Sequence, residues 1–85
     1  MTTATAQILL QYPAKFSPKV EGGYIVTFRD LPEAVTSGED EAASMEIAAD
    51  ALLRAAVFYR KSGRILPSPS PCLPDERMVR ALFEH

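Results

Sequence analysis

The sequence predicts an α+β domain in which a small antiparallel sheet of three to four strands is packed by one long helix, in the order β-β-β-α-β. Three observations predict it. Tyr24-Ile25-Val26-Thr27-Phe28 is dense in β-branched and aromatic residues and follows Gly22-Gly23, the composition of a strand entered from a hairpin turn. Met45, Ala48, Ala49, Leu52, Ala55, Ala56 and Tyr59 recur at helical spacing and form one apolar stripe. The chain has 85 residues, room for one domain with a modest core, a size at which oligomerisation often helps.

Each element has a local reason. Residues 1–5 read as a loose start, and Ile8-Leu9-Leu10-Gln11-Tyr12 as the first strand. Pro13 restricts pairing there, because it has no N–H to donate. Ala14, Phe16 and Pro18 lead to the turn at Val20–Gly23. In the second strand Tyr24, Val26 and Phe28 share one face, and Ile25 and Thr27 the other. Leu31 precedes Pro32 and is pushed to extended geometry, so the strand breaks into a loop. Ala34-Val35-Thr36-Ser37 reads as a short third strand, and Gly38 turns the chain toward the helix.

Asp40 suits the helix N-cap, where its carboxylate accepts from free N–H groups. Glu39, Asp40 and Glu41 complement the positive end of the helix dipole, and Arg60 and Lys61 the negative end. Gly63 supplies the stop. Asp50 and Arg54, four apart, pair on the exposed side. Because the stripe is mostly alanine, the helix can approach a sheet closely. Arg64-Ile65-Leu66 reads as a short fourth strand, and Pro67-Ser68-Pro69-Ser70-Pro71 as an extended linker. Residues 74–83 suit either a short final helix or a strand. The expected division is a domain over residues 1–66, followed by a proline-rich linker and C-terminal tail over 67–85.

The bulk composition removes some function classes. A formal net charge of -2 argues against nucleic-acid binding through charge alone, which needs clustered Lys and Arg. It is compatible with a basic protein partner. With one cysteine, Cys72, there is neither an internal disulfide nor a cysteine-rich zinc site, which fits a reducing cytoplasm. Residues 1–7 lack the basic and apolar regions of a signal peptide, and no apolar run reaches membrane-spanning length. The expected location is cytoplasmic, with no membrane partner.

Catalysis finds little support. The only histidine is His85, at the terminus, and Cys72 has no histidine near it in sequence to activate it. Asp30, Glu33, Glu39, Asp40 and Glu41 cluster at the strand–loop–helix junction, where converging carboxylates would suit a divalent cation and phosphodiester hydrolysis. A helix start attracts acidic residues for electrostatic reasons alone, which is the simpler account. Gly22-Gly23 precedes a strand and so is no phosphate loop, which needs a helix behind it. Tyr12, Phe16, Tyr24 and Phe28 suit a core or a protein interface better than a base-stacking platform. No catalytic residue, metal ligand or cofactor is expected.

The order and spacing of several short motifs carry a resemblance. Tyr12-Pro13-Ala14, then Glu21-Gly22-Gly23-Tyr24-Ile25-Val26-Thr27-Phe28, then Asp30-Leu31-Pro32-Glu33-Ala34-Val35-Thr36-Ser37-Gly38-Glu39 resembles the N-terminal domain of HicB-family antitoxins. The helix from Ala42-Ala43-Ser44-Met45-Glu46 through Ala51-Leu52-Leu53, and the exit Leu66-Pro67-Ser68-Pro69-Ser70-Pro71, match it too. The resemblance covers about residues 8–71.

It implies a partial RNase H-like fold without an active site. It also implies an antitoxin of a type II toxin–antitoxin system, bound to a HicA-like toxin, a small basic ribonuclease that cleaves mRNA with a histidine. Inhibition would be steric. Asp30, Glu33 and Glu39 would face Lys or Arg of the toxin within the Arg29–Glu39 segment, with Phe28 and Leu31 as apolar contacts. Many members of the family carry a C-terminal DNA-binding domain. The sequence ends soon after the proline run, so DNA binding and operon repression are not expected of it. A homo-oligomer, dimer or tetramer, is expected. The alternatives are a metal-dependent nuclease remnant built on Asp30 and the helix-start acids, and a solitary homo-oligomeric structural module.

Overall fold

A computed structural model of the protein describes residues 7–84. The loose start expected at residues 1–5, and His85, lie outside the described residues. The elements are β1 (Gln7–Pro18), β2 (Tyr24–Thr27), β3 (Val35–Gly38), α1 (Glu41–Lys61) and β4 (Glu76–Glu84). The expected α+β class and β-β-β-α-β order are what the structure shows. The sheet is antiparallel throughout, in the order β3-β2-β1-β4.

Two strand assignments are corrected. The first strand does not end at Tyr12. It runs on through Pro13 to Pro18, because β2 pairs only with Lys15–Pro18 and leaves β1 bordered by a strand on one side alone at Pro13. A proline is tolerated at such a margin. Arg64-Ile65-Leu66 is not a strand, having no partner strand beside it. The fourth strand is β4, which settles the choice left open at residues 74–83. It pairs with β1 from Gln7↔Glu84 to Lys15↔Glu76, so the sheet extends past the boundary expected at residue 66.

The helix follows its local chemistry. The Asp40 carboxylate accepts from the Ala43 N–H at 2.8 Å, which satisfies one of the free donors of the first turn. At the other end, the Gly63 N–H donates to the Arg60 carbonyl at 3.1 Å and the Arg64 N–H to the Tyr59 carbonyl at 2.9 Å. This double closure requires a left-handed residue between, and Gly63 has φ +69°. Asp50 and Arg54 pair at 2.9 Å on the solvent side.

α1 packs on one face of the sheet. Ala48, Leu52, Ala55, Ala56 and Tyr59 meet Leu10, Tyr12, Ala14, Val26, Val79 and Ala81 from the strands. The closest approach is at the entrance to the helix. A Cβ added at Gly38 would lie 2.4 Å from Ser44 Oγ and 2.7 Å from Ser44 Cα, so the β3 end and the first helical turn meet with no room for a side chain. The β2–β3 connection closes the core from the side, with Phe28, Leu31 and Ala34 turned inward.

Candidate protein-binding site

The β2–β3 connection carries most of the residues singled out in the sequence, and its turns decide where they point. The Leu31 N–H donates to the Phe28 carbonyl at 3.2 Å and the Ala34 N–H to the Leu31 carbonyl at 2.9 Å. These two turns bury Phe28 (1% exposed) and Leu31 (0% exposed) in the core. As folded, neither side chain is open to a partner, and both fix the path of the connection from inside.

Arg29 and Asp30, between them, reach the segment that joins α1 to β4. Arg29 Nε donates to Glu76 Oε2 at 2.9 Å, and its Nη2 donates to Glu76 Oε1 at 3.1 Å and to the Pro71 carbonyl. The fork-to-carboxylate match is the geometry in which arginine is strongest. Asp30 accepts from the Ser70 N–H at 2.8 Å and from the Ser70 hydroxyl. The Tyr12 hydroxyl donates to the Pro67 carbonyl, and the Leu73 N–H to Glu76 Oε1 at 3.0 Å. The proline run is therefore a strap, held by Tyr12, Asp30 and Arg29. The guanidinium of Arg29 and the Leu73 N–H hold the Glu76 carboxyl below the usual carboxylate range. Burial, then the nearby Asp30 charge, pushes the Tyr12 phenol up.

Glu33 serves the helix end. The Tyr59 hydroxyl donates to it at 2.9 Å, and Arg64 approaches at 3.7 Å while lying 4.3 Å over the Tyr59 ring. The hydrogen bond from its own backbone N–H lowers the Glu33 carboxyl most, with Tyr59 and Arg64 adding to it. Glu39 is exposed. Among the acids of the helix start, Asp40 caps the helix and Glu41 pairs with Arg77 at 2.8 Å. The structure thus sends Asp30, Glu33, Asp40 and Glu41 to separate partners. Among the described residues, no group of three or more His, Cys, Asp or Glu is placed to hold a metal ion.

Reasoning from the sequence passed over an apolar groove. It lies between β3 and the outer side of α1, with a volume of about 510 Å³, lined by Val35, Thr36, Ile47, Ala51 and Phe58 and rimmed by Glu33, Asp50 and Arg54. Val35 is 58% and Phe58 50% exposed. A signal for it exists in the sequence. Ile47, Ala51, Arg54 and Phe58 recur at helical spacing on a second stripe, apart from the one that packs on the sheet. β3 borders this groove and is an edge strand, with unpaired backbone groups on its outer side.

The sequence matches the family model described as "HicB_like antitoxin of bacterial toxin-antitoxin system" over residues 11–81. It is 50% identical over 62 residues to the antitoxin HicB of Escherichia coli strain K12, a stretch covering 73% of this chain and 45% of that protein. It is 42% identical over 62 residues to antitoxin HicB 1 of Photorhabdus laumondii, covering 73% of this chain and 40% of that protein. The chain spans less than half the length of these relatives. The match to the family model includes the strap and most of β4.

Proposed function

The chain belongs to the HicB-like antitoxin family, and on that premise we propose that it is a toxin-binding antitoxin module that blocks a HicA-like, mRNA-cleaving toxin by covering it. The carrying observation is the family match over residues 11–81, which spans the helix, the edge strand β3 and the groove between them. The mechanism is steric and needs no catalytic group of this chain. The toxin occupies the groove, with Val35, Ile47 and Phe58 as apolar anchors and Glu33 and Glu39 facing its basic side chains. The free edge of β3 offers main-chain donors and acceptors to a strand of the toxin. Phe28 and Leu31 contribute from the core by setting the connection, and Arg29 and Asp30 by tying it to the strap. The complex forms in the cytoplasm, and no helix of the described residues is long and apolar enough to cross a membrane.

Co-purification with a small basic HicA-like protein tests the reading, together with a measurement of RNA cleavage by that protein. The expected result is a complex that silences cleavage. Phe58→Asp is expected to weaken binding by a factor of about thirty or more, corresponding to about 2 kcal/mol or greater for a central anchor. Glu39→Lys is expected chiefly to slow association and reduce its salt dependence. No complex at low ionic strength, or a complex with undiminished cleavage, sinks the proposal. The nuclease alternative needs converging carboxylates, and the bonding of Asp30 to Ser70 and of Glu41 to Arg77 draws these acids apart.

A further inference from the structure

The β2–β3 connection makes two arginine–carboxylate pairs, Arg29 with Glu76 and Glu33 with Arg64, and they are built differently. Arg29 makes two bonds to the Glu76 carboxylate, at 2.9 and 3.1 Å, and the Glu76 side chain is 5% exposed. Arg64 comes only to 3.7 Å from Glu33 Oε2, beyond hydrogen-bond reach, and half of its side chain is open to solvent. The seat beneath Arg64 is better made than the hold Arg64 has on it. The Glu33 carboxylate is fixed by other groups, accepting from the Tyr59 hydroxyl at 2.9 Å and from its own backbone N–H. The centre of the Tyr59 ring lies 4.3 Å from the guanidinium carbon. The Phe58 ring stands at 77° to the Tyr59 ring, with its centre 5.8 Å from the same carbon. A fixed acid, a ring face and a second ring as a wall are the groups that recognise a planar cation. Glu33 and Phe58 also line the groove beside β3, so the seat and the groove share a border.

We infer that Glu33, Phe58 and Tyr59 form a receptor for an arginine side chain of a bound protein partner, and that Arg64 is its internal stand-in in the free chain. The partner's guanidinium stacks on Tyr59 and forks to Glu33, while the Arg64 side chain swings out to solvent. The backbone of Arg64 takes no part in the exchange. Its N–H stays bonded to the Tyr59 carbonyl at 2.9 Å and keeps the helix stop closed. An exposed pair of this kind holds weakly, so displacing it costs little. One cation leaves as another arrives, so Glu33 is not left without a partner. Charge and shape select the occupant. An acidic side chain is repelled by Glu33, and a lysine ammonium lacks both the plane that stacks and the fork that meets a carboxylate. Arg64 thereby sets a threshold, since a partner without an arginine at this point does not displace it. That the partner is the toxin rests on the toxin-binding reading; the receptor itself does not.

The test uses the full chain alone, with N-acetylarginine amide as the probe and NMR of the Glu33, Phe58 and Tyr59 amides as the readout. Arg64→Ala, at an exposed position, removes the stand-in and is expected to give saturable shifts at these three residues. The unsubstituted chain is expected to bind the same probe about fivefold more weakly, the factor by which an exposed pair at the strong end of its range holds its place. Arg64→Ala combined with Glu33→Gln is expected to lose the response while the rest of its amide spectrum reports a kept fold. N-acetyllysine amide is expected to bind the Arg64→Ala chain more weakly than the arginine probe. No saturable shift in folded Arg64→Ala, binding as tight with Arg64 present, binding that survives Glu33→Gln, or equal binding of the two probes overturns the inference. Because no toxin is present in any arm, the outcome is separate from that of the toxin-binding test.

Discussion

Gly38 has no room for a side chain. Ser44 leaves no volume for a methyl group there: an added Cβ would lie 2.4 Å from its Oγ and 2.7 Å from its Cα and N. Gly38→Ala is therefore expected to cost about 1–3 kcal/mol through overpacking, read from a chemical denaturation curve. The carboxylates Glu33 and Glu76 lead to a prediction about pH. Both are held below their ordinary range in the folded chain. Their contribution is present above the unfolded carboxylate value, about 4.3, and is lost as pH falls through the lower folded values. Glu76→Gln is expected to lower stability at neutral pH and to flatten the acid limb of the stability profile. An unchanged limb would remove Glu76 from the account. Residue roles were the least legible part of the sequence. Phe28 and Leu31 have the composition of an interface anchor and of a core residue alike, and only the two turns of the connection decide between them. Asp30 reads as a turn acid or a partner contact until Ser70, far away in sequence, is seen to bond to it.

The elements divide according to how local their causes are. α1 was readable because its cap, its stripe and its glycine stop all lie within a few turns of one another. Asp40→Ala is expected to cost about 1 kcal/mol by removing the bond to Ala43. Leu52→Ala, fully buried on the sheet side, is expected to cost about 2–5 kcal/mol. The difference between the two, read in the same denaturation series, tests whether packing outweighs capping in this helix. β4 was not decidable from its own residues. Met78, Arg80, Ala81 and Leu82 all favour helices, and the period-two row Arg77, Val79, Ala81, Phe83 is short. Its state is set by β1, a strand at the other end of the chain. The reverse holds for Ile65, whose composition suits a strand but which has no partner strand. The groove beside β3 went unseen because a second apolar stripe on a helix carries no label saying which stripe is the core.

At the scale of the whole molecule, the toxin-facing surface is proposed at one edge of the sheet, β3, with β4 at the opposite edge. Each chain carries one such groove beside β3, so the expected complex contains toxin and this chain in equal numbers. Its mass by light scattering checks this, and an unequal ratio would remove the one-groove, one-toxin account. The strap ties this arrangement together, since Arg29 beside β2 holds Glu76 at the start of β4. The pairing of β1 with β4 also has a consequence for synthesis. β1 borders β4, a strand made some sixty residues later, from Gln7↔Glu84 inward. While the chain emerges from the ribosome, β1 has its long partner missing until residues 76–84 are free of the exit tunnel. The helix can form early, but the sheet that buries it closes only after residues 76–84 have been made. A message cut short before the codons for residues 76–84 would yield a chain unable to complete its core, so translation has to pass this strand before the helix gains its full cover.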